Sequence, residues 1–455
     1  MEKKVNTNKW YPIVVGVESE EFFAAIEKIA EALHRPPAAW IPREREGVEP
    51  YRIARGASLG HGASGIALFY AYLSQISNTS PIFADEADRF ISHACDALET
   101  VPMTGGLYRG ISGIAWTVQH FQGFLYDDES YDPETDPNIE IDRILLDHWS
   151  KPEKFDVWEG CAGLGVYALE RYPHSNSKLL LELLIKQLEQ LAVHNDKGTT
   201  WFTSPEPRRS RAAQLSPEGS YVLGVAHGIS GVISFLSRVH ALNILPDTTK
   251  ELLYGSVSWL LAQQQENDSP LIFPQFIMPP DNKPLITGTF GWCHGDLGLA
   301  AALISAAGCT GESSWKAKAI EAAHASIDYL SELSETTNFP HPCLCHGTAG
   351  LGHLFNRIYQ ASGVEAFKKE AVKWYRHTIK MQKPGTGIAG FSHYGRNEDG
   401  EMSELYDPAF IQGASGIGLA LLAAVTDLEP KWDRVMLISA PEKSRTLASG
   451  GQEPF

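Results

Sequence analysis

One short phrase recurs seven times along the chain. It consists of a polar residue, a glycine, two further residues that are mostly small, a second glycine and then an apolar run. The seven polar positions are His61, Arg109, Glu159, His227, His294, His346 and Gln412. The first glycines of successive copies are spaced by 48, 50, 68, 67, 52 and 66 residues. Such self-similarity is typical of a repeat architecture, in which each unit buries its apolar face against its neighbours.

Two kinds of helix alternate with the phrase. Each copy is followed by a stretch that is apolar on nearly all sides, such as GIALFYAYLSQIS from Gly65, which predicts a buried inner helix. Between copies lie amphipathic outer helices, such as SKLLLELLIKQLEQLAVH from Ser177. The other outer helices are expected to begin near Ser19, Ala84, Asn138, Pro246, Ser314 and Val364. The first and last inner helices are as apolar as the middle ones, whereas an open solenoid needs polar terminal repeats. We therefore predict an all-α fold, an α/α toroid of seven inner and seven outer helices.

The repeats also set the expected domain limits. Residues 1–50 form an N-terminal segment that contains the first outer helix, and residues 51–430 form the toroidal catalytic domain. Residues 431–455 are expected to be a frayed tail. The longer spacings predict loops inserted at one rim of the ring, notably at 199–220 and 268–291.

Charge and cysteine content narrow the function classes. The 455 residues include 38 basic and 55 acidic side chains, a net charge of −17 that argues against nucleic-acid binding. The N-terminus has no apolar segment of the signal-peptide kind, and no apolar run approaches the ~20 residues that span a bilayer. We expect a cytoplasmic protein without a transmembrane segment. In that compartment six cysteines favour metal binding or reactive thiols over disulfides.

Alignment of the repeats predicts a metal site. Cys293 and Cys345 precede the polar position in two adjacent repeats, so they should be neighbours in space, and His346 follows Cys345 directly. Two thiolates and an imidazole are ligands that zinc prefers, and three protein ligands leave the open position of a catalytic site. The remaining cysteines are interpreted as packing residues; they are Cys95, Cys161, Cys309 and Cys343.

Three of these motifs resemble those of the lanthionine synthetase C-like family. They are Gly-Trp-Cys293-His294-Gly, Cys345-His346-Gly and Gly-Val-Ala-His227-Gly. The resemblance implies an α/α toroid with a zinc ion (Zn2+) held by Cys293, Cys345 and His346. Bacterial members are lanthipeptide (lantibiotic) cyclases, which add peptide cysteine thiols to dehydroalanine or dehydrobutyrine and so form thioether rings. Eukaryotic relatives add glutathione to dehydrated residues in proteins.

The resemblance also implies acid/base residues. His227 resembles the family's active-site histidine, and Asp156 matches an aspartate near it, which could orient His227 or cap the next turn. His294 stands where nisin-type cyclases have tyrosine, and Thr289 stands where they have arginine. The residue that protonates the intermediate is therefore either His227 or His294.

Other polar residues are candidates for substrate contact. Tyr406 and Asp407 lie just before the last repeat. Arg109 is a third candidate, although its repeat position, like that of His61, is across the ring from the cysteines, and pore lining is the simpler interpretation of both.

Two activities and two competing classes remain open. The chain could be a stand-alone cyclase of a dehydrated precursor peptide, or a relative that adds glutathione. A binding scaffold would not need an open metal position, and a glycosidase would need paired carboxylates where the rim offers only Glu159. The cyclase reading implies a lanthipeptide dehydratase and an exporter as partners, with peripheral membrane association through that complex.

Overall fold

The computed structural model describes residues 9–34, 50–76, 81–125, 136–149, 151–205, 217–265, 269, 271–286, 290–336, 341–396 and 402–439. Seven inner helices follow the seven glycine phrases: α3 Ala63–Ser74, α5 Ile111–Gln122, α7 Cys161–Arg171, α9 Ile229–Ala241, α11 Asp296–Thr310, α13 Thr348–Ser362 and α15 Ala414–Val425. Seven outer helices alternate with them: α1 Val17–His34, α4 Pro81–Thr100, α6 Ile139–His148, α8 Ser175–Leu191, α10 Pro246–Leu261, α12 Ser313–Thr336 and α14 Glu365–Lys380. A further short helix, α2 Pro50–Ala57, precedes the first phrase.

The inner helices are buried over most of their length, as their apolar composition requires. Every residue of α15 is buried. The second glycine of the phrase allows each inner helix to begin tightly against its own turn. A Cβ at Gly350 would lie 1.9 Å from the carbonyl oxygen of Leu344, and one at Gly65 would lie 2.4 Å from that of Leu59. Any side chain at these positions would push the helix away from the turn that precedes it.

Backbone hydrogen bonds link the turns and close the ring. The amide of Gly60 in the first repeat donates to the carbonyl of Tyr108 in the second at 2.9 Å. The amide of Ile411 in the last repeat donates back to the carbonyl of Gly60 at 3.2 Å. Helix α15 also packs against α3. The predicted toroid is therefore confirmed, and it is closed rather than open.

The three longest spacings between repeats contain short strands. These are β1 Val193–Asn195, β2 Gly198–Thr200, β3 Tyr221–Val222, β4 Phe276–Met278, β5 Lys283–Leu285, β6 His393–Arg396 and β7 Met402–Leu405. They pair antiparallel as β1–β2, β3–β4–β5 and β6–β7, with Val222 opposite Phe276 and His393 opposite Leu405. The loops predicted at 199–220 and 268–291 thus include ordered strands in their described parts.

The chain after α15 fills the pore below the turns. A 3-10 helix at Lys431–Met436 is buried, and three side chains of the ring donate hydrogen bonds to its end. Tyr108 Oη reaches the carbonyl of Val435 at 2.9 Å, and Trp292 Nε1 reaches that of Met436 at 2.8 Å. Ser234 Oγ donates to the carbonyl of Leu437. Because these donors come from three repeats, the segment lies across the inside of the ring.

We call residues 430–439 the C-terminal plug. The expectation of a frayed tail from residue 431 is wrong for this part, because Trp432 and Val435 are at most 1% exposed. Residues 440–455 lie outside the described residues. Asp433, in the plug, accepts hydrogen bonds from Arg357 Nη2 at 2.8 Å and from His353 Nε2 at 2.7 Å. Within the described part of the chain, no helix is long and apolar enough to cross a membrane.

Candidate active site at the turn face

The seven turns that carry the glycine phrase lie at one end of the ring, which we call the turn face. The three predicted metal ligands come together there. Cys293 and Cys345 lie in the turns before α11 and α13, and their sulfur atoms and one ring nitrogen of His346 are all within 4.8 Å of one another. The backbone fixes this approach, because the amide of Trp292 donates to the carbonyl of Cys345 at 2.9 Å. The amide of Cys345 donates in turn to Ile411 at 3.1 Å. In the described part of the chain, no other group of three such side chains is as close.

Glycine is required where the neighbouring turns approach the cysteines. A Cβ at Gly224 would lie 1.8 Å from the carbonyl oxygen of Cys293. Gly291 has a φ of +149°, and a Cβ there would lie 2.6 Å from the carbonyl oxygen of Cys345. A larger residue at either position would separate the turns that carry the sulfurs.

The chemistry of the donor set fits zinc. Both cysteines are free and buried. A hydrogen bond from the Cys345 thiol lowers the pKa of Cys293 well below its usual range, and the adjacent His294 and His346 act in the same direction. The pKa of Cys345 is correspondingly raised. Cys293 is therefore the more acidic thiol of the pair, and two sulfurs with an imidazole match the tetrahedral preference of zinc.

Two further histidines surround His346. The ring of His341 lies 5.0 Å from that of His346 and 5.6 Å from that of His393, centroid to centroid. Burial, with the charges of His346 and His393, lowers the pKa of His341 to about 4, and burial also lowers the pKa of His393. Sequence reasoning missed both residues. His341 lies outside the glycine phrase, and His393 is brought to the site by the β6–β7 hairpin, so neither has a spacing that points to the metal site.

His227 and Asp156 form a hydrogen-bonded pair beside these residues. His227 Nδ1 lies 2.8 Å from Asp156 Oδ2, and the His227 side chain is 42% exposed. The other oxygen of Asp156 accepts the amide of Glu159 at 3.0 Å, so the carboxylate both orients the imidazole and caps its own turn. Since a carboxylate only accepts, Nδ1 carries the proton in the neutral imidazole.

His294 is more enclosed than His227. Its Nδ1 is buried and has no hydrogen-bond partner among the described residues, and its ring lies 5.1 Å from that of Phe276. Burial lowers the pKa of His294, the charge of Cys293 opposes this shift, and the charges of His227 and His346 lower the pKa further. His294 therefore interacts electrostatically both with His227 and with two of the predicted metal ligands.

The candidate substrate-contact residues occupy different surroundings. The guanidinium carbon of Arg109 lies 5.6 Å from the centre of the Trp158 ring, and its side chain is exposed at the turn face. Tyr406 is 51% exposed. Asp407 accepts the amide of Ala409 at 2.8 Å, so it caps the turn before the last repeat. Thr289 lies outside the described residues.

Residues 54–437 match the family of lanthionine synthetase C-like proteins. The chain belongs to this family. The nisin biosynthesis protein NisC of Lactococcus lactis subsp. lactis is 23% identical over 353 residues, which cover 73% of this chain and 81% of that protein.

A solved structure extends the similarity to the fold. The structure of nisin cyclase superimposes with a TM-score of 0.68 at 18% identity, and the match covers 92% of this chain and 97% of the other. The family resemblance inferred from the three motifs is confirmed. At this identity the structural likeness concerns the fold, so the chemistry has to be argued from the residues of this chain.

Proposed function

We propose that this protein is a zinc-dependent lanthipeptide cyclase that forms thioether rings in a dehydrated precursor peptide. The observation that carries the proposal is the convergence of Cys293, Cys345 and His346 beside the His227–Asp156 pair. Membership of the family supports it, as does similarity to proteins named for nisin biosynthesis and nisin cyclisation. A dehydratase and an exporter are its proposed partners, and the cytoplasm its proposed compartment.

The reaction joins a peptide cysteine to a dehydroamino acid. A free thiol has a pKa near 8.5, so little of it is thiolate at neutral pH. Bound zinc would hold the substrate sulfur as a thiolate in the position that the three protein ligands leave open. The sulfur forms a bond to the β-carbon, the double-bond electrons move towards the α-carbon and the carbonyl, and a proton completes the α-carbon. One proton leaves the thiol and one proton is added to the α-carbon, so the mass of the peptide does not change.

A side chain of the protein has to supply the proton transfer in this reaction. We assign it to His227, because the adjacent Asp156 carboxylate compensates the positive charge of a protonated imidazole and fixes the orientation of the ring. His227 is also accessible at the turn face. His294 is the weaker choice, since burial lowers its pKa and no carboxylate among the described residues is bonded to its ring. We propose that His294 instead contributes hydrogen bonding near the reacting atoms.

Mass spectrometry after thiol alkylation tests the activity. The substrate is a synthetic peptide with one cysteine and one dehydroalanine; ring closure leaves its mass unchanged and removes the alkylatable thiol. We expect closure with the wild type and none with Cys345→Ala, which should also lose about one equivalent of zinc per chain. Cys309→Ala is the matched control, because Cys309 lies near the far end of α11 from the metal site.

Two outcomes would contradict the proposal. A metal-free protein that still closes the ring would remove zinc from the mechanism. Gain of the mass of glutathione, in a parallel reaction that contains it, without ring closure would favour the glutathione-adding activity instead.

A further inference from the structure

Three basic side chains of the first two repeats face one corner of the turn face. They are Arg55, His61 and Arg109, and we call them the basic corner. Both arginines have exposed side chains. Their charges, together with burial as the larger cause, lower the pKa of His61 to about 3, which shows that both guanidinium groups act on one buried imidazole. The corner therefore has two positive charges and a neutral histidine.

Among the described residues, the side chains of the basic corner form no hydrogen bond or ion pair with another side chain. Both ring nitrogens of His61 are buried without a hydrogen-bond partner among the described residues. No ion pair of the described residues includes Arg55 or Arg109, although other arginines of this chain are paired with acids, as Arg171 is with Asp142. Buried polar groups are nearly always hydrogen-bonded, so the two ring nitrogens of His61 favour a ligand from outside the chain. Arg55 also acts electrostatically on the buried carboxyl group of Asp407 but forms no ion pair with it.

The basic corner adjoins the proposed catalytic residues. The ring of Trp158 lies 5.9 Å from that of His61 and 5.4 Å from that of His227, centroid to centroid. The guanidinium of Arg109 lies over the same indole. Trp158 is held in place by stacking on Tyr108 at 4.7 Å. One fixed side chain thus separates the basic corner from His227.

We propose that the basic corner binds a carboxylate of the peptide substrate, with Arg55 and Arg109 as its charge partners and His61 as a hydrogen-bond donor. This proposal rests on the proposed function, since it gives one chemical feature of the substrate. Guanidinium groups match carboxylate oxygens in geometry and charge. In a chain of net charge −17, unpaired arginines at the mouth of the site would select one anionic group rather than attract anions generally. A carboxylate held there would anchor the peptide beside His227 while its thiol reaches the metal site.

Binding can be measured separately from catalysis. The probe is a fluorescein-labelled dehydrated peptide with an alkylated cysteine, which can bind but cannot close a ring. The peptide is prepared with either glutamate or glutamine at one position, and each of these two with either a free carboxylate or an amide at its C-terminus. These four peptides distinguish a side-chain carboxylate from the terminal one. Fluorescence anisotropy with the zinc-loaded full chain gives the Kd of each.

We expect Arg109→Gln and Arg55→Gln each to weaken binding of the carboxylate peptide about tenfold, as loss of one charged hydrogen bond would. His61→Leu should weaken it about fivefold. None of the three should change binding of the peptide that lacks the recognised carboxylate. Arg109→Lys should restore part of the affinity, because the charge is kept while the fork of donors is lost.

Arg143→Gln is the matched control, since Arg143 is exposed on outer helix α6 and pairs only with its neighbour Glu140 in the described structure. Circular dichroism and zinc content should be unchanged in all variants. Equal weakening for all four peptides, or unchanged Kd for the carboxylate peptide in both arginine variants, would overturn the carboxylate site. Because this assay does not require ring closure, its failure is distinguishable from failure of the proposed activity.

Discussion

The turn face and the C-terminal plug belong to the same ring but differ in whether their buried polar groups have hydrogen-bond partners. In the plug, Asp433 is fully buried and bonded to both Arg357 and His353, and successive carbonyls accept hydrogen bonds from Tyr108 and Trp292. At the turn face, by contrast, several polar groups have no partner in the described structure, and others share one proton. These are the ring nitrogens of His61, Nδ1 of His294 and the sulfurs of Cys293 and Cys345.

This difference distinguishes polar groups that stabilise the fold from polar groups that are available to bind a ligand. Burying a polar group costs free energy unless it is hydrogen-bonded, so a folded protein retains unpaired groups mainly where something else binds. The plug should therefore determine stability, and the turn face should determine metal and substrate binding. Substitutions in the two regions should affect different measurements.

The largest effect is expected at the plug. Asp433→Asn removes the charge that compensates buried Arg357, so the free energy of unfolding should fall by about 3–5 kcal/mol. Urea denaturation of the zinc-loaded protein measures this. Asp328→Asn, on outer helix α12, provides a surface comparison. A loss below about 1 kcal/mol would mean that the Asp433 network is not a main support of the ring.

At the turn face, His227→Asn should act on catalysis and leave stability intact. Loss of a general acid typically lowers kcat by about 10²–10⁴-fold. Zinc content and the urea midpoint should match the wild type, because His227 is not among the three proposed ligands. If zinc were lost from this variant, His227 would have to be reassigned to the metal site.

The two regions should also lose stability in different pH ranges. The pKa of His61 is lowered to about 3 by burial and by Arg55 and Arg109, whereas an unfolded histidine titrates near 6.5. The unfolded chain then binds more protons between these values, so His61 lowers stability as the pH falls below about 6.5. His61→Gln should therefore lose about 2 kcal/mol less than the wild type between pH 7 and pH 5. Identical pH profiles of the two proteins would show that His61 is not a buried neutral group.

Asp433 also makes stability fall as the pH falls, but in a lower pH range. Burial raises its pKa, but Arg357 and His353 outweigh this and hold it below the usual value for a carboxyl group. Its stabilising contribution is full above the unfolded pKa of about 3.9 and is lost as the pH falls through its lower folded pKa. The difference in stability between wild type and Asp433→Asn should therefore shrink only below about pH 4.

The smallest effect concerns the contact between the two regions. Trp292→Phe removes the hydrogen bond to the carbonyl of Met436 and should lower the free energy of unfolding by about 1 kcal/mol. Trp292 directly precedes Cys293, so the zinc affinity of this variant shows whether the plug also positions the metal ligand. Competition with a chromogenic chelator measures that affinity. Unchanged affinity would limit the plug to a structural role.

Much of this architecture could be predicted from the repeat pattern in the sequence. Cys293 and Cys345 could be predicted as neighbours because they share a position in adjacent repeats, and the apolar end repeats indicated closure. The family motifs placed Asp156 near His227 but left open whether it orients His227 or caps its own turn, and the structure shows both contacts. What these features share is a periodic position or a short local motif.

Contacts between residues that occupy no repeat position could not be predicted in this way. His353 and Asp433 are 80 residues apart, and nothing in the sequence of the plug, which mixes charged and apolar residues, indicates that it turns back into the pore. His393 reaches the metal ligands through a hairpin whose pairing depends on tertiary packing. The unpaired state of His61 is likewise a property of the folded surroundings, since every rim position is polar in sequence.

The hydrogen bond from the amide of Cys345 to Ile411 has a consequence for synthesis of the chain. One metal ligand is held by a turn that the ribosome makes 66 residues later, and the turn of the other is held by Met436, later still. A nascent chain that has all three ligands therefore lacks the supports that bring them together. We expect zinc to be retained only after the last repeat has docked, so that metal loading reports completion of the ring.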